Sequence, residues 1–136
     1  MATSLNHFVS FKVSHDEGFT TQAPQFTSTM RDMTQMEGTP AHFEAKLVPI
    51  GDPKLRVDWL KNGKPIQASN RMSSLHDFGF VALDLKYTRP DDTGSYTCRA
   101  VNDLGEANIT ANLKVHIDNY LLTQKIKNER KPLKIK

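Results

Sequence analysis

The stretch Asp91-Asp92-Thr93-Gly94-Ser95-Tyr96-Thr97-Cys98-Arg99-Ala100 constrains this chain most. Asp-Thr-Gly supplies a tight corner, because glycine reaches backbone angles closed to other residues. After the corner, Tyr96, Cys98 and Ala100 alternate with Ser95, Thr97 and Arg99. A two-residue period sends one set inward and the other to water, which predicts a half-buried strand. A tyrosine two residues before a buried cysteine, just past a corner, fills the core with its ring and returns its hydroxyl to nearby backbone. Trp59 stands 39 residues before Cys98, in the alternating run Leu55, Val57, Trp59.

The remaining segments follow the same pattern. Pro24 suits the start of an edge strand, since proline cannot donate to an interior ladder. Met30, Met33 and Met36 have helical spacing, but Glu37-Gly38-Thr39-Pro40 breaks the chain, so an irregular edge strand is expected. In Ala41–Val48 the residues Phe43, Ala45 and Leu47 point inward and His42, Glu44 and Lys46 outward. Asn62-Gly63 is a hairpin signal, because both residues tolerate positive φ. Arg71–Leu75 reads as a short strand and Asp77-Phe78-Gly79 as a turn. Val81, Leu83 and Leu85 share one face, and Ile109, Leu113 and Val115 another. Seven or eight short strands with turns every 8–12 residues predict an all-β two-sheet sandwich.

These residues together resemble the immunoglobulin superfamily. The nearer resemblance is to the intermediate-set domains of giant sarcomeric proteins of the titin and kettin type. It rests on Ala41-His42-Phe43-Glu44, Val48-Pro49-Ile50-Gly51-Asp52-Pro53, Val57–Pro65, Asp77–Asp84 and Cys98–Glu106, with Thr21-Gln22-Ala23-Pro24 similar to kettin. It covers about residues 22–117. It implies an I-set Greek-key sandwich whose core signature is Trp59, Leu83, Tyr96 and Cys98. It also implies a structural corner at Arg71, Asp92 and Gly94, with the Asp92 carboxylate paired to Arg71. In the family pattern a partner cysteine would lie two residues after Phe43. That position is Ala45 here, so no disulfide forms and Cys98 is expected free.

Length agrees with one domain of about 100 residues and two flanks. Residues 1–22 read as an N-terminal linker, 23–117 as the domain and 118–136 as a basic tail or linker. Segment 24–117 has 11 basic and 11 acidic residues, whereas 118–136 has six basic and two acidic. The basic character therefore lies in the tail, at Lys125, Lys127, Arg130, Lys131, Lys134 and Lys136. Tyr120-Leu121-Leu122 can start a helix that Pro132 would stop. A solvated linker is one reading of the tail; electrostatic attachment to an acidic surface is the other. The resemblance points to actin or other sarcomere proteins as partners. Nucleic acid is not expected, because the tail offers few aromatic rings for stacking.

No group of residues reads as catalytic. Asp91-Asp92 are neighbours in a turn, where a structural role is expected. The five histidines show no zinc-ligand spacing, and the Gly-Asp-Pro loop lacks the glycines and lysine of a phosphate cradle. No metal, cofactor or enzyme activity is expected. No apolar run is long enough to cross a bilayer. A single cysteine, and an N-terminus without a basic start and apolar block, lean towards a cytoplasmic protein; the resemblance implies the Z-disc or I-band of the sarcomere. The expected role is a monomeric module of a sarcomere scaffold. The alternatives are an extracellular adhesion or receptor domain, or a regulatory module of a giant muscle kinase.

Overall fold

The computed structural model describes residues 21–129. The expected linker up to Thr20, and Arg130, Lys131, Lys134 and Lys136 of the tail, lie outside the described residues. Nine strands occur among those described: β1 (Gln25–Phe26), β2 (Met33–Met36), β3 (Ala41–Val48), β4 (Arg56–Lys61), β5 (Lys64–Pro65), β6 (Met72–Asp77), β7 (Phe80–Leu85), β8 (Gly94–Asn102) and β9 (Gly105–His116). They form two sheets, ordered β1-β3-β7-β6 and β2-β9-β8-β4-β5. The chain crosses between sheets after β1, β2, β3, β5 and β7, which gives the expected sandwich.

Alternation decides which side chains meet between the sheets. Ala41, Phe43, Ala45 and Leu47 of β3 are buried, while His42, Glu44 and Lys46 are exposed. Val81, Leu83 and Leu85 face them from the same sheet. Trp59, Tyr96, Cys98, Ala100, Ala111, Leu113 and Val115 close the core from the other. Phe43 is the central ring. Its centroid lies 5.0 Å from Tyr96, stacked, and 6.3 Å from Trp59. Cys98 has no disulfide partner and is buried. Aromatic packing therefore carries the inter-sheet contact.

Two hairpins have two-residue turns with positive φ at both central positions, as the twist of paired strands requires. In the first, Asn62 (φ 51°) and Gly63 (φ 83°) join β4 to β5. In the second, Phe78 (φ 49°) and Gly79 (φ 79°) join β6 to β7.

Several expectations change in detail. Arg71 precedes β6 instead of opening it. The methionine stretch narrows to Met33–Met36, which runs parallel to the end of β9 from Met33↔Leu113 to Met36↔His116. The first part of the tail is helix α1 (Asn119–Glu129). Leu121, Leu122, Gln124, Lys125 and Lys127 are good helix formers, and no proline or glycine interrupts them before Pro132. Lys127 lies in the last turn, where the helix dipole favours a cation.

Candidate functional site

The corner before β8 is built around Asp92. A single 3-10 turn, Pro90–Asp92, carries it between β7 and β8. The Asp92 carboxylate is almost wholly out of water and takes two donors from Arg71, at 2.6 and 3.0 Å. The backbone N–H of Arg89 donates to the same carboxylate at 2.7 Å. Charge-assisted, two-pronged pairing of this kind satisfies a buried carboxylate. The paired carboxylate holds the Arg71 guanidinium pKa above its ordinary value, with burial opposing. Arg71 also donates to the Tyr87 carbonyl at 3.0 Å, and its guanidinium lies 5.4 Å from the Tyr87 ring centroid.

The Tyr96 hydroxyl donates to the Asp92 carbonyl at 2.6 Å, inside the core. Burial pushes the phenol far above its usual range. Gly94 is required by a close approach: a Cβ there would lie 2.7 Å from the Asn62 side chain. That same Asn62 accepts from the Ser95 N–H at 2.9 Å, which ties the β4–β5 hairpin to the corner. Lys61 donates to the Asp91 carbonyl and adds a second tie.

Of the residues singled out in the sequence, Arg71, Asp92, Gly94 and Tyr96 thus come together at one corner. Trp59, Leu83, Tyr96 and Cys98 come together in the core. Burial raises the Cys98 thiol to about 12, with the Asp58 charge adding to the rise. The Trp59 indole N–H is buried and meets no acceptor among the described residues. Beside it a cleft of about 140 Å³ opens between β4 and β6, lined by Ile66, Met72 and Leu83 among others. Lys125 and Lys127 are exposed on α1.

Sequence reasoning missed one cluster. On the outer face of the β3–β7 pair, His42 Nδ1 lies 2.5 Å from Asp84 and Nε2 lies 2.7 Å from Glu44. Both contacts favour the protonated ring and raise its pKa, the Asp84 hydrogen bond contributing most. His42 and Glu44, two apart on one strand, were a visible signal, but Asp84 joins them only through the register His42↔Asp84. Among the described residues no group of three or more His, Cys, Asp or Glu could hold a metal ion. No described helix is long and apolar enough to cross a membrane.

The profile of the immunoglobulin I-set domain matches residues 24–115. Titin of Drosophila melanogaster is 55% identical over 104 residues, which is 76% of this chain and 1% of that protein. Telokin of Meleagris gallopavo is 40% identical over 93 residues, 68% of this chain and 59% of telokin. Smooth-muscle myosin light chain kinase of Gallus gallus is also 40% identical over 93 residues, and the chain spans 5% of its length. Among solved structures, the crystal structure of the titin M10–obscurin-like 1 Ig complex aligns at TM-score 0.67 and 32% identity. It covers 72% of this chain and 98% of the matched one. A chimeric titin Z1Z2 aligns at 0.66 with 26% identity, covering 71% and 98%.

Proposed function

The chain belongs to the immunoglobulin I-set family, and from that membership we propose that it is one structural module of a sarcomere scaffold. In this reading it links its neighbours mechanically and offers a surface to protein partners. The observation that carries it is the parallel pairing of β2 with β9. The described chain begins near Asn102, whose Nδ2 donates to the Gln22 carbonyl at 2.7 Å. It leaves β9 at the other end, where Glu37 N–H donates to the His116 carbonyl at 2.8 Å. Tension between the termini pulls β2 and β9 in opposite directions along their axes. All the bonds of that pair are then loaded together in shear, unlike an antiparallel hairpin that unzips bond by bond.

Force spectroscopy tests the link. Pulled through its termini, the domain should unfold at a clearly higher force than when handles are placed on the paired residues Ser95 and Asn112, near the open end of the β8–β9 hairpin, which then unzips. Equal, low forces in both geometries would argue against a mechanical role. Forced unfolding is governed by the unfolding rate, so the comparison is made at one loading rate.

The likeness to titin, and the match to a complex whose name pairs titin M10 with obscurin-like 1, support protein partners. For the tail we propose an acidic filament, with actin as the partner and the cytoplasmic sarcomere as the place. Segment 118–136 concentrates six basic residues beside a domain of balanced charge. Exposed charge pairs are individually weak, so attachment should be modest and fade with salt. Repetition along a longer chain would raise avidity. Co-sedimentation with actin at low and high salt compares the whole chain with one ending at Ile117. Equal binding by both would move the contact onto the sandwich, and no binding by either at low salt would remove actin as partner. A second reading, a module beside a muscle kinase, draws support from the 40% identity with smooth-muscle myosin light chain kinase.

A further inference from the structure

Three large apolar side chains stand in water at the pole where the described chain begins. Phe78 is 83% exposed, Ile50 61% and Leu104 58%. They belong to three connections, β6–β7, β3–β4 and β8–β9, of which the β3–β4 loop touches both others. A Cβ on Gly79 would lie 2.8 Å from Ile50 Cγ1, so Ile50 sits against the Phe78-Gly79 turn. Asn102 donates to Asp52 at 3.0 Å, and Lys54 meets Asp103 at 3.3 Å, which joins the β3–β4 loop to the β8–β9 turn. A groove of about 320 Å³ runs beside Phe78, lined by Pro53, Leu55 and His76 among others.

Phe78 is the informative residue. Its φ of 49° is left-handed, where asparagine or glycine is the usual occupant and a bulky side chain is strained. Strain of this kind persists where the surrounding structure or a function holds it. Here an aromatic ring is held against both its backbone preference and its preference for burial. A ring so placed wants an apolar partner.

The chain before Thr21 emerges at this same pole. Asn102 fixes Gln22, and a Cβ on Gly105 would lie 3.0 Å from the Ala23 side chain. The twenty preceding residues include the apolar run Phe8, Val9, Phe11 and Val13, in which Val9, Phe11 and Val13 alternate. Val13 is eight residues from Thr21, a tether of at most ~29 Å at ~3.6 Å per residue. Two sheets packed face to face lie ~10 Å apart, so the tether reaches any point of the pole. Such a tether also raises effective concentration far above that of free partners. Charge agrees: Lys12 is the one charged residue from Phe8 to Val13, and the pole carries Asp52, Asp77 and Asp103 against Lys54.

We propose that the pole formed by Ile50, Phe78 and Leu104 is a docking site for the chain's own segment Phe8–Val13. The segment covers Phe78 and the adjoining groove, and so orients whatever precedes the domain.

The test uses the full chain with Ser10→Cys carrying a nitroxide; Cys98 is buried and stays unlabelled. The amide signals of Ile50, Phe78 and Leu104 should lose most of their intensity, while those of Glu37 and Lys86 keep theirs. Phe78→Asn suits the turn, so it keeps the fold, and it should abolish the effect. Uniform broadening, or broadening centred on another face, would overturn the proposal. So would broadening that appears in an isotope-enriched chain mixed with a labelled one, because the occupant would then be a second copy.

Discussion

The Asp92 carboxylate and the Arg71 guanidinium face each other edge to edge, Nη1 to Oδ2 at 2.6 Å and Nη2 to Oδ1 at 3.0 Å. The side chains are 3% and 15% exposed, so water contributes little to either. Since Asp92 also holds the Arg89 N–H, and its carbonyl holds Tyr96, this pair joins the start of β6 to the start of β8. Removing the arginine strands a buried carboxylate, a mechanism that costs about 3–5 kcal/mol. Arg71→Ala should therefore lower the urea midpoint strongly, followed by Trp59 fluorescence. Arg71→Lys keeps the charge but loses the fork, and should fall between. An alanine variant as stable as the parent would show that the corner holds without the pair.

Tyr96→Phe isolates the other half of the corner. The ring remains in the core beside Phe43, and only the hydroxyl is lost. The Asp92 carbonyl is then left without this donor, which costs about 1–3 kcal/mol. The sign of the alkaline effect is also set. The folded phenol pKa is raised, so its stabilisation is present below the ordinary value of 10.0 and is lost as pH rises above it. Thermal melting from pH 8 to 11 should show the parent losing more stability than the phenylalanine variant. Parallel losses would assign the alkaline effect to other groups.

The sandwich was legible because its rules are local. Alternation around Phe43, Trp59 and Tyr96 gives the inward faces, and Asn62-Gly63 gives a turn, without knowledge of any partner strand. The Arg71–Asp92 pair was reachable only through resemblance, since 21 residues separate two side chains that no periodicity connects. What stayed hidden depends on register. Nothing in Met33–Met36 says that it runs parallel to Leu113–His116, and nothing in Asp84 says that it faces His42. Helix α1 was half legible: its residues allow a helix, but a short isolated helix is marginal, so propensity alone could not decide.

Cys98 gives a prediction about chemistry. Thiolate is the reactive form, and burial has raised this thiol to about 12. Near pH 8 the native protein should react slowly with a disulfide reagent, and urea-unfolded protein fast. The gap should close in step with unfolding. Rapid stoichiometric labelling of folded protein would be incompatible with a cysteine on the inner face of β8.

Trp59→Ala tests how far packing replaces a disulfide. Trp59 is 5% exposed and lies beside Phe43 in the core. Emptying a large aromatic site costs about 3–5 kcal/mol, a large share of the 5–15 kcal/mol that holds a typical domain. The variant should be largely unfolded at 37 °C by far-UV circular dichroism. Near-parental melting would mean that Phe43 and Tyr96 alone hold the sheets together.

The His42 cluster predicts a pH dependence at the neutral end of the scale. Asp84 and Glu44 each accept from one ring nitrogen, which stabilises the imidazolium and raises its pKa above the ordinary 6.5. Unfolding releases the ring to that ordinary value. The folded state therefore binds the proton more tightly, and the extra stability is complete below pH 6.5. It is lost as pH climbs from 6.5 through the raised pKa of the folded ring. The cluster is half exposed, so solvent screens it and the change should be small. In two-dimensional spectra the His42 ring signals should titrate with a midpoint above 6.5. Asp84→Asn should pull that midpoint down more than Glu44→Gln, because the Asp84 bond is the larger cause. A His42 midpoint at or below 6.5 in the parent chain would mean that the ring does not hold both carboxylates in solution.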